Sequence, residues 1–192
     1  MPFRKIFAGL ALSLLIVGCA SAPAPVARPA PAPAVPAPFA ASLPIASGVA
    51  ASPAHRRLAA LIAEAQLGDL LAAPGPLTLF APDDAALGRL DPASAAALAR
   101  PEHRDVLIRL LGLHIVSGAL TEAELRAQIA AGGGVARLTT IQGEAIVARI
   151  HGGALLLSDA ANNAAYVVGP ERRVANGIVH SVNGVLLPKA DY

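Results

Sequence analysis

The stretch from Ala20 to Ala51 decides where this chain can fold. It is dominated by Pro, Ala, Val and Ser, carries one charge, Arg28, and contains runs such as Pro29-Ala30-Pro31-Ala32-Pro33. Repeated Pro locks φ and removes backbone donors, so the segment favours extended polyproline II geometry and cannot build a core. A compact domain is therefore confined to residues 52–192, a span of ordinary single-domain size. Residues 19–51 act as a passive tether that reaches about 90–100 Å when fully extended, at roughly 3.1 Å per residue.

What precedes the tether reads as an address. Arg4 and Lys5 make a basic start, Ile6 to Val17 form an apolar run, and Gly18-Cys19 follows. That run is too short to span a bilayer, which takes about 20 apolar residues. Leu15-Ile16-Val17-Gly18-Cys19 resembles the bacterial lipobox. The resemblance implies that residues 1–18 are a lipoprotein signal peptide, that the Cys19 thiol takes a diacylglycerol, and that cleavage before Cys19 frees an amino group for further acylation. Several acyl chains exceed the two-signal threshold for stable anchoring, so the membrane becomes a partner through the lipid on Cys19. Ala20 replaces the Asp that commonly marks inner-membrane retention in enteric bacteria. The resemblance thus points to an exported protein on the outer membrane, periplasmic or surface-exposed. An ordinary secretory signal cut near Ser21-Ala22 is the alternative. Cys19 is the only cysteine, so no internal disulfide can form and packing alone must hold the domain.

Charge removes one class of partner. Taking away Arg4 and Lys5 leaves thirteen basic residues against thirteen acidic ones. A neutral domain whose only Lys is Lys189, with Phe80, Tyr166 and Tyr192 as its aromatics, has neither the basic face nor the stacking platform that nucleic acids require.

Along the domain the apolar period changes. Ser52-Pro53 reads as a cap and first helical position, leading a helix with Leu58, Leu61, Ile62 and Ala65 on one face. Gly68 interrupts it and Asp69 caps a short second turn. After Pro74-Gly75-Pro76 comes a strand, Leu77–Ala81, and then Asp83 and Asp84 open a short helix, where their charge is favourable. Asp91-Pro92 repeats the cap-then-Pro signal. A helix from Pro101 to Leu111 presents Val106, Leu107, Leu110 and Leu111, with Asp105 and Arg109 paired at i,i+4. Thr121-Glu122-Ala123-Glu124 is a capping box, and its helix stops at Gly132-Gly133-Gly134. From Val135 the period is two, with turns at Gln142-Gly143, Gly152-Gly153, Asn176-Gly177 and Asn183-Gly184. Helices first and an antiparallel sheet last give an α+β class.

Four segments, in order, resemble the fasciclin domain of extracellular adhesion proteins. Thr78-Leu79-Phe80-Ala81-Pro82-Asp83-Asp84-Ala85-Ala86-Leu87 is similar to its first motif, and Leu110-Leu111-Gly112-Leu113-His114-Ile115-Val116-Ser117-Gly118 to its central one. Leu138-Thr139-Thr140-Ile141-Gln142-Gly143 resembles its turn. Asn176-Gly177-Ile178-Val179-His180-Ser181-Val182-Asn183-Gly184-Val185-Leu186-Leu187-Pro188 resembles its closing segment. The resemblance implies a β-wedge flanked by N-terminal helices, a role in adhesion or surface interaction, and structural duty for Thr78, Phe80, Pro82, Asp83, His114, Gly118, Gly143, Asn176, Gly177, His180, Gly184 and Pro188. Leu113 stands where the family has Tyr, so integrin-type recognition does not carry over. Asn183 replaces the usual Asp, and Glu171-Arg172-Arg173 gives that edge a different surface.

No catalytic constellation emerges. His114 and His180 sit in apolar, strand-like runs where a His serves internal hydrogen bonds; His55, His103 and His151 are isolated and expected to be exposed. There is no H-x-x-x-H or H-x-E pair for a metal and no G-x-S-x-G elbow, and Gly132–Gly134 lacks the Lys-Ser/Thr of a phosphate loop. Ser117 lies near His114 in sequence, but their side chains are expected to diverge. Consecutive Asp83 and Asp84 suit capping better than glycosidase chemistry. The expectation is therefore a monomeric module, not an enzyme, needing no cofactor or metal, that binds an envelope protein or polysaccharide. A carrier of a small apolar ligand, carotenoid- or lipid-like, is the alternative.

Overall fold

The computed structural model describes residues 43–98 and 100–189. Cys19, the expected signal peptide and most of the tether lie outside the described residues. Within them no helix is long and apolar enough to cross a membrane.

The chain runs α1 (Ile45–Ala50), α2 (Arg56–Glu64), α3 (Gly68–Ala72), β1 (Leu77–Pro82), α4 (Asp84–Gly88), α5 (Pro92–Leu98), a 3-10 turn (Pro101–His103), α6 (Arg104–Leu113), β2 (Ile115–Ser117) and α7 (Glu122–Ala131). The strands β3 (Val135–Thr139), β4 (Ala145–His151), β5 (Ala154–Ser158), β6 (Ala164–Tyr166), β7 (Arg172–Val174) and β8 (Gly177–Val182) complete it. Two sheets result, ordered β2-β1-β8-β7 and β3-β4-β5-β6. The class is α+β, as the segregation of helices and strands implies. All strand pairs are antiparallel except β1 with β8, which run parallel in register from Leu77↔Gly177 to Pro82↔Val182. Single bridges, Val116↔Thr140 and Val167↔Val182, link the sheets.

Strand β1 is the hinge of the packing. Its near-continuous apolar run suits a strand buried on both faces, and residues Thr78 to Pro82 are all buried. Leu79 and Ala81 join Ile45, Val49, Leu58, Leu71, Leu107, Leu111 and Val179 in a core under the helices. Phe80 faces the other way, into a second core with Leu125 and Ile129 of α7 and Leu138, Ile146, Leu155 and Leu157 of the second sheet. Helix α7 carries the anticipated capping box: Thr121 Oγ1 accepts from the Glu124 N–H at 3.1 Å, and Glu124 Oε2 accepts from the Thr121 N–H at 2.7 Å. The Thr121 N–H, and the Thr121 hydroxyl that also donates to Glu124 Oε2 at 2.7 Å, hold the Glu124 carboxyl below its usual range.

Several local expectations are corrected. The tether was expected to last through Ala51, yet α1 forms at Ile45–Ala50 and buries Ile45 and Val49 completely. Ala175 N–H also donates to the Leu43 carbonyl. Ser52-Pro53 does not open a helix; α2 begins at Arg56, and Leu67, not Asp69, holds the N-cap position of α3. Val106 is 37% exposed and contributes little to the α6 face. The ion pairs among the described residues are Glu122–Arg126 and Glu171–Arg173, so Asp105–Arg109 is not one of them.

Candidate functional site

The motif residues converge on the β1–β8 seam and on the loops it supports. Thr78 Oγ1 donates to the Gly118 carbonyl at 2.6 Å and accepts from the Leu120 N–H at 2.8 Å. His180, in register with Phe80 across the parallel pair, donates from Nε2 to the Leu120 carbonyl at 2.7 Å. Because a carbonyl only accepts, that contact places the ring proton on Nε2. The ring stacks on Phe80 with centroids 5.4 Å apart. Burial pushes His180 below its ordinary pKa, more than the Leu120 carbonyl and the Glu171 and Glu122 carboxylates raise it.

His114 is not in a strand. It caps the C-terminus of α6 in helical geometry, with both ring nitrogens on main chain: Nδ1 to the Leu110 carbonyl at 2.8 Å and Nε2 to the Leu186 N–H at 3.1 Å. The carbonyl requires the proton on Nδ1 and the amide requires a lone pair on Nε2. The neutral imidazole therefore staples the C-terminal segment to α6. Complete burial lowers its pKa to about 4, against the raising effect of the Leu110 carbonyl and Asp159.

His55, expected to be exposed, is 2% exposed and meets Ser52 Oγ at Nδ1, 2.8 Å away. Burial lowers its pKa despite the Asp83 and Asp84 carboxylates beside it. Those carboxylates cap two helices. Asp83 Oδ1 accepts from the Ala86 N–H at 2.6 Å, starting α4, while Asp84 Oδ1 accepts from the Arg57 N–H at 2.8 Å, serving α2 across the fold. Pro82 closes the parallel ladder opposite Val182.

Asn176 joins three elements. Its Oδ1 accepts from the Ile45 N–H at 2.8 Å, and its Nδ2 donates to the Leu71 and Ala73 carbonyls at 2.9 and 2.8 Å. Asn176→Ala leaves one donor and two acceptors unmatched and is expected to cost about 2–3 kcal/mol. A urea midpoint shift equivalent to under 0.5 kcal/mol would contradict this role. Gly177 starts β8 hard against Leu77, Gly143 turns at φ 82°, Gly184 follows Asn183 beside Ala164, and Pro188 is half-buried after Leu187.

Asp159 was missed by sequence reasoning. Its Oδ1 accepts from the Ala161 and Asn163 N–H groups, and its Oδ2 from Asn163 Nδ2 and the Leu187 N–H, all at 2.8–2.9 Å. The Ser158-Asp159 pair between apolar runs, followed by Asn162-Asn163, was the available signal. His151 was also taken as isolated, but Nδ1 lies 2.9 Å from the Tyr166 hydroxyl.

Chemically, most of these groups are occupied; His180 Nδ1 is buried without a hydrogen-bond partner. Ser52–His55 is the nearest thing to a nucleophile and base, and both side chains are sealed from solvent. Among the described residues no group of three or more His, Cys, Asp or Glu is placed to hold a metal.

Comparison with known proteins agrees with this frame. A family model described as Fasciclin domain matches residues 53–188. Protein sll1483 of Synechocystis is 30% identical over 131 residues, spanning 68% of this chain and 66% of that protein. An uncharacterized Synechocystis protein, sll1735, is 29% identical over 134 residues, spanning 68% and 86%. A solved FAS1 domain pair from the insect cell adhesion molecule Fasciclin I matches the fold with a TM-score of 0.67 at 17% identity, covering 76% of this chain and 51% of that one. The match thus spans just under two thirds of sll1483 and about half of the insect pair.

Proposed function

Because the chain belongs to the fasciclin domain family, we propose that it is a lipid-anchored binding module of the cell envelope, recognising a protein or polysaccharide partner instead of turning over a substrate. One observation carries this reading: the motif side chains that could do chemistry, Thr78, Asp83, His114, Asn176 and His180, are each bonded to main chain. A frame built this way leaves loops and sheet faces as the variable, recognising parts. Fasciclin domains occur in cell adhesion proteins, Fasciclin I among them. Supporting the anchor are Cys19 behind its apolar run and the Pro/Ala-rich segment that follows. The apolar cleft of about 290 Å³ lined by Ala60, Leu61, Leu87, Leu90, Ala95 and Leu98 is open to solvent and also lined by Arg57, whereas a carried apolar ligand is mostly buried in its site, so binding at a surface is preferred over carrying an apolar ligand.

Cys19→Ser tests the anchor. Wild-type protein is expected to take up labelled fatty acid and partition into detergent, whereas the variant should accumulate as precursor or be released. A mature chain that begins at residue 21 or later, or keeps a free thiol, would sink the proposal. Crosslinking in the native envelope should then retrieve a partner with wild type and lose it with the variant.

A further inference from the structure

The second sheet buries one face and leaves the other in water. Leu138, Ile146, Leu157 and Ala165 point into the core. On the opposite face the register lines up Val135, Arg149, Leu156 and Tyr166 across the four strands, and sets Arg137 opposite Val147 in the next row. No acidic residue occurs in any of these strands. A solvated face normally intersperses both signs, and the rest of residues 52–192 carries ten basic and thirteen acidic residues, so this basic segregation is local. Among the described residues neither Arg137 nor Arg149 is in an ion pair. Arg149 makes only a long approach to Ser158 Oγ, 3.5 Å.

Acids do border one end of the face. Glu144 and Asp159 line a cleft of about 460 Å³ with Arg137 and Lys189. Asp159 is held in place by four hydrogen bonds from neutral N–H groups, and Glu144 accepts at Oε2 from the Lys189 N–H at 3.3 Å. Neither carboxylate lies within ion-pair distance of the Arg137 or Arg149 guanidinium.

We propose that this outer face is the docking surface for an acidic polysaccharide, with uronate-type carboxylates on Arg137 and Arg149 and sugar ring faces on Tyr166 and Leu156. The proposal rests on the envelope-binding reading and names the partner's chemistry. A planar guanidinium fork takes a carboxylate through two parallel hydrogen bonds. Arg137 and Arg149 are diagonal neighbours, about 7–8 Å apart, and Tyr166 lies two strands beyond Arg149, about 10 Å away. That spacing suits a chain of repeating charged rings better than one compact ligand. The bond from Tyr166 to His151 restrains the ring before binding, which lowers the ordering cost. A membrane is a poorer fit. The large exposed apolar side chain on this face, Val135, is 40% exposed, too little for the apolar burial an interfacial surface needs.

The test is affinity electrophoresis of the full-length protein in non-ionic detergent, in gels holding polygalacturonate or its fully methyl-esterified form. Wild type should be retarded by the acid polymer and not by the ester. Arg137→Ala/Arg149→Ala should weaken retention about tenfold, equivalent to about 1.4 kcal/mol, with an unchanged melting temperature. The exposed pair Arg56→Ala/Arg100→Ala should leave it intact. Equal loss in both pairs, no retardation of wild type, or binding to phosphatidylglycerol vesicles in place of the polymer would each overturn the proposal. Fatty-acid labelling at Cys19 and envelope crosslinking are read separately, so a negative gel would remove this partner without removing the anchor.

Discussion

Replacing Gly177 by alanine is expected to cost on the order of 3–5 kcal/mol, enough to unfold much of the population of a marginally stable domain. The reason is the parallel ladder between β1 and β8, where Leu77 pairs directly with Gly177. A methyl group at Gly177 would overlap the Leu77 carbonyl, and one at Gly75 would overlap the Asn176 carbonyl. Both obstacles are backbone, which cannot swing aside as a side-chain tip can. The strands would have to separate, removing the Leu77 N–H bond to the Asn176 carbonyl and loosening both cores at once. Gly68→Ala provides the contrast. Nothing lies within 4 Å of its added methyl, and alanine favours a helix, so stability should stay level or rise by about 0.5–1 kcal/mol. Urea melts of the two variants check the pair; a Gly177→Ala domain within 1 kcal/mol of wild type would mean that the seam yields.

Acid should weaken the domain well before its carboxylates protonate. His114 titrates near 4 in the fold against an ordinary value of 6.5, so the unfolded chain binds the extra proton throughout that window. Its contribution is complete above pH 6.5, declines as pH falls toward 4, and levels off below. From pH 7.5 to 5 the expected loss is roughly 2 kcal/mol from His114 alone. His55 and His180 are lowered in the same direction by burial and add to it. The charged ring would also set an N–H against the Leu186 N–H, releasing the C-terminal staple. Urea midpoints measured at both pH values check this, and an unchanged midpoint would show that His114 takes up its proton without disturbing its partners.

The local features were the legible ones. Thr121 and Glu124 announce a helix start within four residues, and turns such as Gly152-Gly153 announce a hairpin, because the interactions that set them are local. The parallel contact of β1 with β8 joins positions a hundred residues apart and leaves no periodic trace. Helix α1 was hidden for a related reason. Ile45-Ala46-Ser47-Gly48-Val49-Ala50 continues the composition of the tether, and six residues are too few for a helical period to show; its folding depends on burying Ile45 and Val49 and on the cap that Asn176 lends from the far end of the chain. At the site, the motif residues could be named, but not their tautomers or their partners. His55 was expected to be exposed because nothing local in sequence signals its burial, which comes with the β1–α4 turn that sets Ala81, Asp83 and Asp84 beside it.

That borrowed cap also says how this domain bears a pull. Tension arriving from residues ahead of Leu43 first loads the Leu43 carbonyl, held by Ala175, and then the Ile45 amide, held by Asn176. Both grips sit at the β7–β8 turn, and α1 lies between them and the rest of the helical layer. The first elements in the load path are therefore these two bonds, and a pull reaches α1, with Ile45 and Val49 seated in the helical core, only once both have parted.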